Sequence, residues 1–345
     1  MTTTARDIIN KLIQQQAIQQ QWAAQHFEIM EDGHFSAIAI NGKQCVLAPY
    51  PEFSALIYRG QNQYYEPCKS SLYRTSLSKI ERFIAEMRIA EFHILLSSHP
   101  AVIDFASWSV MGLRIKIDFE GLAQHFGLAT QLIDFTSNPL IAAFFACCEY
   151  DRKSKSYKPI LQSTQKGVFY TYFEAADVGD PTGPKIPHSS IVGLQPLRRP
   201  AEQYAWCYRL PKRASLNSRP FLTCTPFLHD RRVSIKVFER FEGGEQLFPS
   251  DPLAEKALHI SLTKKFSQNA FQMAMAKHGK KMKQGSTLNA LKRKGIAIIN
   301  TPTVAFSETE QQEISKDWDA RKPYLFSRIH FRKACPVYAS ADDSL

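Results

Sequence analysis

Three short stretches of this sequence collect the side chains that could do chemistry. The densest runs from Leu122 to Cys147, LAQHFGLATQLIDFTSNPLIAAFFAC, in which Gln124 and His125 precede a glycine and Asp134, Thr136, Ser137 and Asn138 follow a short apolar run. A histidine within reach of an aspartate can orient it or a substrate. The plainer alternative is that His125 packs in the core and that Asp134, Thr136 and Asn138 cap a helix. The second stretch is Ala55 to Gln61, where Arg59 follows four apolar residues. A guanidinium at the end of a buried strand can make a bidentate pair with a phosphate or carboxylate, or with an acid of the protein itself. The third places Glu202 between Arg199 and Gln203, just ahead of the apolar run Trp206 to Leu210.

The elements that must hold these residues can be read locally. Asp118 is an N-cap for a short helix to Phe126, and Gly127 supplies the left-handed residue that ends it. Thr130 to Phe135 has strand composition. At Asn138-Pro139 a helix begins with an Asn cap and Pro at its first position, and its apolar body places it in a core. Upstream, Thr4 to Met30 carries Ile8, Ile9, Leu12, Ile13, Ile18, Trp22 and Phe27 at roughly helical spacing, which predicts an amphipathic helix docked on the rest of the chain. Strands over Phe35 to Ile40 and Gln44 to Ala48 flank an Asn41-Gly42 hairpin turn. Ser78 and Glu81 form a capping box for a helix to about Ser97, and His99-Pro100 breaks it. A shorter element then reaches Trp108. Asp151 to Lys166 reads as loop, Val168 to Phe173 and Ser190 to Pro196 as strands, and Gly179 to Pro184 as a turn. Trp206 to Leu210 and Arg232 to Phe238 complete the expected strands, and the tail after Ala339 reads as disordered.

Composition narrows the classes. The 345 residues are 44% hydrophobic and 22% charged, an ordinary globular balance. The net charge of +11 favours a polyanionic partner such as nucleic acid. Much of the excess lies between Ser261 and Asn300, where Lys264, Lys265, Lys277, Lys280, Lys281, Lys283, Lys292, Arg293 and Lys294 occur with no acid, interleaved with Phe266 and Phe271. Such a block reads as phosphate contact or as a solvated face. The seven cysteines form no C-x-x-C pair and no ligand-spaced cluster with histidine, so no metal site is expected, and reduced core thiols in a cytoplasmic protein are. No run approaches the ~18 apolar residues of a membrane span. Gly-rich phosphate loops, H-E-x-x-H and G-x-S-x-G are missing, which removes support for dehydrogenase, NTPase, metalloprotease and hydrolase readings.

The stretch Gln124-His125-Phe126-Gly127-Leu128-Ala129-Thr130-Gln131-Leu132-Ile133-Asp134-Phe135-Thr136 resembles the central motif of the FRG family. That family is named for a Phe-Arg-Gly tripeptide, which here is Tyr58-Arg59-Gly60, and Leu72-Tyr73-Arg74 resembles the Leu-x-Arg that follows it. Ala129 stands for the usual Pro, and Gln131 for the usual Arg. Arg199 and Gln203 match the family's Arg-x-x-Ala-Gln-x-Gly-x-Phe, whereas Glu202, Ala205 and Cys207 depart from it. Leu247-Phe248-Pro249-Ser250 resembles the closing segment, so the resemblance spans roughly Ala55 to Ala257.

The order of a strand-end Arg, a Thr-Ser turn before an apolar helix and a later Glu/Gln is similar to that of ADP-ribosyltransferases, DNA-targeting toxins among them. What that resemblance implies is cleavage of NAD as substrate and transfer of ADP-ribose to RNA or DNA, in a toxin or phage-defence effector that an antitoxin could neutralise. Glu202, Arg59 and His125 would be catalytic, with Glu202 steadying an oxocarbenium-like state. Tyr58, Arg59, Gly60, Gln61, Asp134, Phe135, Thr136, Ser137, Arg199 and Gln203 would hold NAD, and Tyr58 or Phe135 could stack on nicotinamide. The rival is a binding module in which Arg59, His125 and Glu202 form a buried polar network. The expected fold is α+β, a mixed or mostly antiparallel sheet core of six to eight strands of ADP-ribosyltransferase-like type flanked by helices. The expected divisions are an N-terminal helix over 1–34, a catalytic domain over 35–260 and a basic helical extension over 261–345.

Overall fold

The fold is that of a computed structural model, which describes residues 4–27, 34–49, 56–173 and 189–331. The Gly179 to Pro184 turn and the tail after Ala339 lie outside the described residues. In chain order the elements are α1 (Ala5–Phe27), β1 (His34–Asn41), β2 (Gln44–Pro49), β3 (Leu56–Gln61), α2 (Lys79–Leu96), α3 (Pro100–Ser107), β4 (Ser109–Val110) and β5 (Leu113–Ile115). Next come α4 (Phe119–His125), β6 (Leu132–Thr136), α5 (Pro139–Cys147), β7 (Cys148–Asp151), β8 (Ser156–Pro159), β9 (Lys166–Phe173), β10 (Ser189–Ile191), α6 (Arg198–Glu202) and β11 (Ala205–Arg209). The chain continues through β12 (Leu222–Leu228), α7 (Arg231–Arg240), α8 (Pro252–Leu262), β13 (Lys265–Ser267), α9 (Gln268–His278), α10 (Gln284–Arg293), β14 (Ala297–Ile299), α11 (Glu308–Ser327) and β15 (His330–Phe331).

The centre is a six-stranded sheet in the order β10-β11-β6-β3-β9-β12, antiparallel at every pairing. A five-stranded mixed sheet, β15-β1-β2-β5-β4, lies beside it. Strand alternation sends neighbouring residues of β3 into different cores. Ile57 joins Phe135, Tyr170, Tyr172, Trp206 and Tyr208. Tyr58 joins Phe169, Phe227, the apolar body of α5 and the stripe Ile8, Ile9 and Leu12 of α1. The N-terminal helix therefore docks on α5, and Gln16 Nε2 donates to the Ser137 carbonyl at 3.1 Å.

Local signals fixed most ends. Asp118 accepts from Gly121 N at 2.8 Å, Gly127 has φ +82°, and Asn138 accepts from Leu140 N at 2.9 Å. At the β1–β2 turn, Asn41 Oδ1 accepts from Lys43 N and Gln44 N. Three expectations are corrected. Arg232 to Phe238 is not a strand but the body of α7, because Asp230 caps it through Arg232 N and Val233 N and the pair Val233 and Val237 lies buried on one helical face. Within Asp151 to Lys166 a short hairpin forms between β7 and β8, turning through Lys155 at φ +53°. Of the strand expected over Ser190 to Pro196, pairing ends at Ile191.

The segment after Ser261 packs onto the rest. Phe266, Phe271, Ala274 and Leu291 share a core with Phe83, Ile84 and Met87 of α2. Trp318 of α11 donates from Nε1 to Asp104 of α3 at 2.7 Å.

Candidate functional site

The three sequence stretches meet around Asp134. β6 lies between β3 and β11, so the Arg59 strand, the Asp134 strand and the strand that follows Glu202 are direct neighbours. β3 and β6 pair at Tyr58 and Thr136 alone and then part. Into that seam Arg59 sends its guanidinium, whose Nη1 donates to the Asp134 carbonyl at 2.7 Å while Nε is buried without a hydrogen-bond partner among the described residues. Within reach of its charge is Arg74, whose Nε donates to the Lys69 carbonyl at 3.2 Å. Arg74 reaches solvent, yet loss of solvation and then the Arg59 charge pull it below the ordinary guanidinium value. Among the described residues neither arginine is in an ion pair with a carboxylate. Two adjacent cations held by carbonyl oxygens make a place for a phosphate-bearing anion.

The Asp134 carboxylate is fixed from the other side. Gln124 Nε2 donates to its Oδ2 at 3.1 Å, and Gln124 Oε1 in turn accepts from the Thr130 hydroxyl. Thr130 N donates to Ser71 Oγ at 3.0 Å, tying the Leu72-Tyr73-Arg74 segment to the same motif. His125 is buried at the back, where its Nδ1 meets Gln203 Oε1 at 3.0 Å and its Nε2 lies 3.7 Å from Asp134 Oδ1. Burial lowers the His125 pKa, Asp134 and Gln203 oppose that, and Arg199 adds to it. Thr136 Oγ1 donates to the Gln203 carbonyl at 2.8 Å, and Ser137 N donates to the Tyr204 carbonyl at 3.1 Å. Gln61 is buried and accepts from Cys68 Sγ at 3.4 Å.

Other expected site residues lie elsewhere. Tyr58 and Phe135 are 0% and 3% exposed, so neither can stack on nicotinamide unless the sheet opens. Tyr65, by contrast, is exposed and lies near Arg74. Gly60 faces α5, where an added Cβ would lie 1.8 Å from the Ala142 carbonyl oxygen. Glu202 ends α6 rather than entering a strand, its side chain 46% exposed and 3.7 Å from Arg198. Arg199 stacks between Phe126 and Phe248, with its guanidinium carbon 5.3 Å and 4.6 Å from the ring centres.

Arg198 and Arg199 also border a cavity of about 730 Å³ between the Phe248 to Pro252 segment and α11, with His99, Asp251, Asp317 and Arg321 on its walls. Burial, then the Arg321 charge, brings His99 down to about 4, and its Nδ1 has no hydrogen-bond partner among the described residues. Because the folded state holds this imidazole neutral while the unfolded chain protonates it near ~6.5, its stabilisation is complete above that pH and is lost as pH falls toward 4. At ~1.4 kcal/mol per pKa unit, a lowering of that size corresponds to a loss of a few kcal/mol. His99→Asn, which also offers a cap to α3, is expected to flatten the fall of melting temperature across that window. An unchanged slope would assign the acid sensitivity to other groups.

Residues 54–155 match the family model of the FRG domain. This segment is similar to the FRG domain. It carries Arg59, Arg74, Gln124, His125 and Asp134, whereas the Arg199 to Cys207 and Leu247 to Ser250 segments fall beyond the match. No curated protein and no solved structure matches the chain. Among the described residues no helix is long and apolar enough to cross a membrane.

Arg74 was legible as the Leu-x-Arg match but was not assigned to a site. Gln124 and Cys207 carried no local signal of their contacts. In the basic stretch, Lys264, Lys265, Lys281, Lys283, Lys292 and Arg293 are exposed, whereas Lys277 lies 3.9 Å from Glu120 and Lys294 3.0 Å from Glu81. The Lys280 side chain is outside the described residues. Phe266 and Phe271 are buried against α2, so they offer nothing for bases to stack on.

Proposed function

We propose that the FRG domain binds NAD as a substrate and transfers its ADP-ribose to a nucleic acid. The observation that carries this reading is Arg59 in the seam between β3 and β6 with the Arg74 charge near enough to act on it, two guanidinium groups in no carboxylate ion pair among the described residues. A diphosphate neutralises such a pair in a geometry that a guanidinium fork favours. The adjacency of the three strands lends further support, because a ribose lying along the seam would have Asp134 on one side and the start of β11 on the other. Glu202 would leave Arg198 to face the ribose, where its carboxylate steadies positive charge as the nicotinamide bond breaks. Such an activity would be harmful to a host, which fits a toxin or defence effector held in check by a neutralising protein.

Calorimetric titration with NAD tests the binding step. Arg59→Ala and Arg74→Ala are each expected to weaken binding at least tenfold. Arg59→Ala also loses a partly buried bond to the Asp134 carbonyl and so about 1–3 kcal/mol of stability, whereas Arg74→Ala leaves the melting temperature near wild type. Affinity unchanged in both variants would remove the seam as the site.

A second reading, a non-catalytic nucleic-acid or partner-binding module, is favoured by the network that joins Arg59, Gln124, His125, Asp134 and Gln203. Glu202 takes no part in that network. In both readings the exposed lysines after Ser261 hold the polyanion. Replacing Lys281, Lys283 and Arg293 by Glu is expected to weaken binding to all sequences alike and to reduce the salt slope by about two to three. Binding that ignores salt would leave this surface as a solvated face.

A further inference from the structure

The side chains of His125, Asp134 and Cys207 turn one atom each toward a common point. His125 Nε2 lies 3.7 Å from Asp134 Oδ1 and 3.8 Å from Cys207 Sγ, and Cys207 Sγ lies 3.9 Å from Asp134 Oδ1. The triangle is nearly equilateral. Tetrahedral zinc with bonds of about 2.0–2.3 Å to nitrogen, oxygen and sulfur sets its ligand atoms roughly 3.4–3.6 Å apart, so each side need close by only a few tenths of an ångström.

The groups behind the triangle fix what its corners can offer. Gln203 Nε2 donates to the Leu247 carbonyl at 2.9 Å, which turns Oε1 toward His125 Nδ1. The Nδ1 position must therefore carry the proton, and Nε2 presents a lone pair to the triangle. Gln124 holds Asp134 Oδ2, which leaves Oδ1 facing inward. A lone pair and a carboxylate oxygen facing each other call for a proton or a cation between them. A hydrogen bond that fixes the second ring nitrogen of a histidine, and another that fixes a carboxylate, are the usual support of metal ligands, and here Gln203 and Gln124 make them.

We propose that His125, Asp134 and Cys207 bind a borderline divalent cation of the zinc class. Cys207 enters as thiolate, its proton passing to solvent as the ion binds, and Asp134 through one oxygen. The Asp134 side chain is 39% exposed, so the fourth position opens toward solvent and takes a water. The three residues come from α4, β6 and β11, and the ion clamps these elements together. Cys207 stands where the FRG pattern has Phe, so the site belongs to this chain's own departure from the pattern. It does not depend on the NAD reading.

The test uses the full chain, dialysed against chelator and titrated with Co²⁺ and then Zn²⁺. One equivalent of Co²⁺ is expected to give the visible bands of a tetrahedral site with a thiolate-to-cobalt charge-transfer band, and Zn²⁺ is expected to displace it. Cys207→Ser abolishes the charge-transfer band, Cys45→Ser keeps it, and Gln203→Met weakens the affinity by about 10–100-fold while keeping the spectrum. Should Cys207→Ser fail to fold by circular dichroism, the wild-type spectrum and the Gln203→Met affinity decide. A wild-type titration without the charge-transfer band, or a band unchanged in folded Cys207→Ser, overturns the proposal and leaves a hydrogen-bonded thiol in its place.

Discussion

Glu202→Gln is expected to cut ADP-ribose transfer by ~10²–10³ and to leave NAD affinity within a few-fold of wild type. The substitution keeps the size and hydrogen-bonding capacity of the side chain and removes its charge, and charge is what the oxocarbenium-like state requires. Glu202 is 46% exposed and lies 3.7 Å from Arg198, so a rim ion pair of this kind contributes well under ~1 kcal/mol and its loss leaves folding intact. Expression of the wild type in bacteria is expected to arrest growth, and expression of the variant to be tolerated. If the variant transfers at the wild-type rate, Glu202 is a surface residue, and Glu242 and Glu245 become the acids to replace.

Gly60→Ala is expected to lose at least ~3 kcal/mol of stability or to fail to fold. Its Cβ would stand 1.8 Å from the Ala142 carbonyl oxygen and 2.8 Å from the Ala146 Cβ, both on α5. The obstacle is helix backbone rather than a side chain that can turn away, so the helix would have to leave the sheet. Small residues on both faces let β3 and α5 approach closely, and that approach buries Tyr58 and Phe144. Denaturant unfolding reads the loss directly. A stability within 1 kcal/mol of wild type would mean that α5 sits farther from β3 than its packing indicates.

The parts of this fold that were legible in the sequence are those specified within one turn of chain. Asp118 and Gly127 bracket α4, Ser78 and Glu81 open α2, Asn138-Pro139 opens α5, and each rests on bonds between close neighbours. The misread segment is instructive. Arg232 to Phe238 alternates apolar and polar residues as a strand does, but Val233 and Val237 also satisfy the helical spacing, and the cap at Asp230 decides between them. The antiparallel character of the central sheet was anticipated, whereas its seam was not, because the single pairing of Tyr58 with Thr136 is a property of two strands far apart in the chain.

The candidate site divides in the same way. The family resemblance marked Arg59, His125 and Asp134, and all three meet in space. Their working contacts were invisible, since Arg59 finds a main-chain carbonyl, His125 finds Gln203, and Cys207 meets Asp134 through strand register and His125 through the placement of α4. Spacing in sequence hides such a triangle completely. The basic stretch failed in the opposite sense. Its described charges are as exposed as the composition suggested, but Phe266 and Phe271 are drawn into a core with α2 that no local pattern announces.

The proposed function stands on NAD chemistry at the seam between β3 and β6. It is tested most directly by incubating the full chain with NAD labelled on the adenylate moiety, in the presence of separate protein, DNA and RNA pools, while free nicotinamide is measured. Wild type is expected to release nicotinamide and to transfer label to a nucleic-acid pool, with both lost in Glu202→Gln and in Arg59→Ala. No nicotinamide release and no label in any pool, from protein that still binds nucleic acid through its basic surface, would contradict it and leave the FRG domain as a binding module.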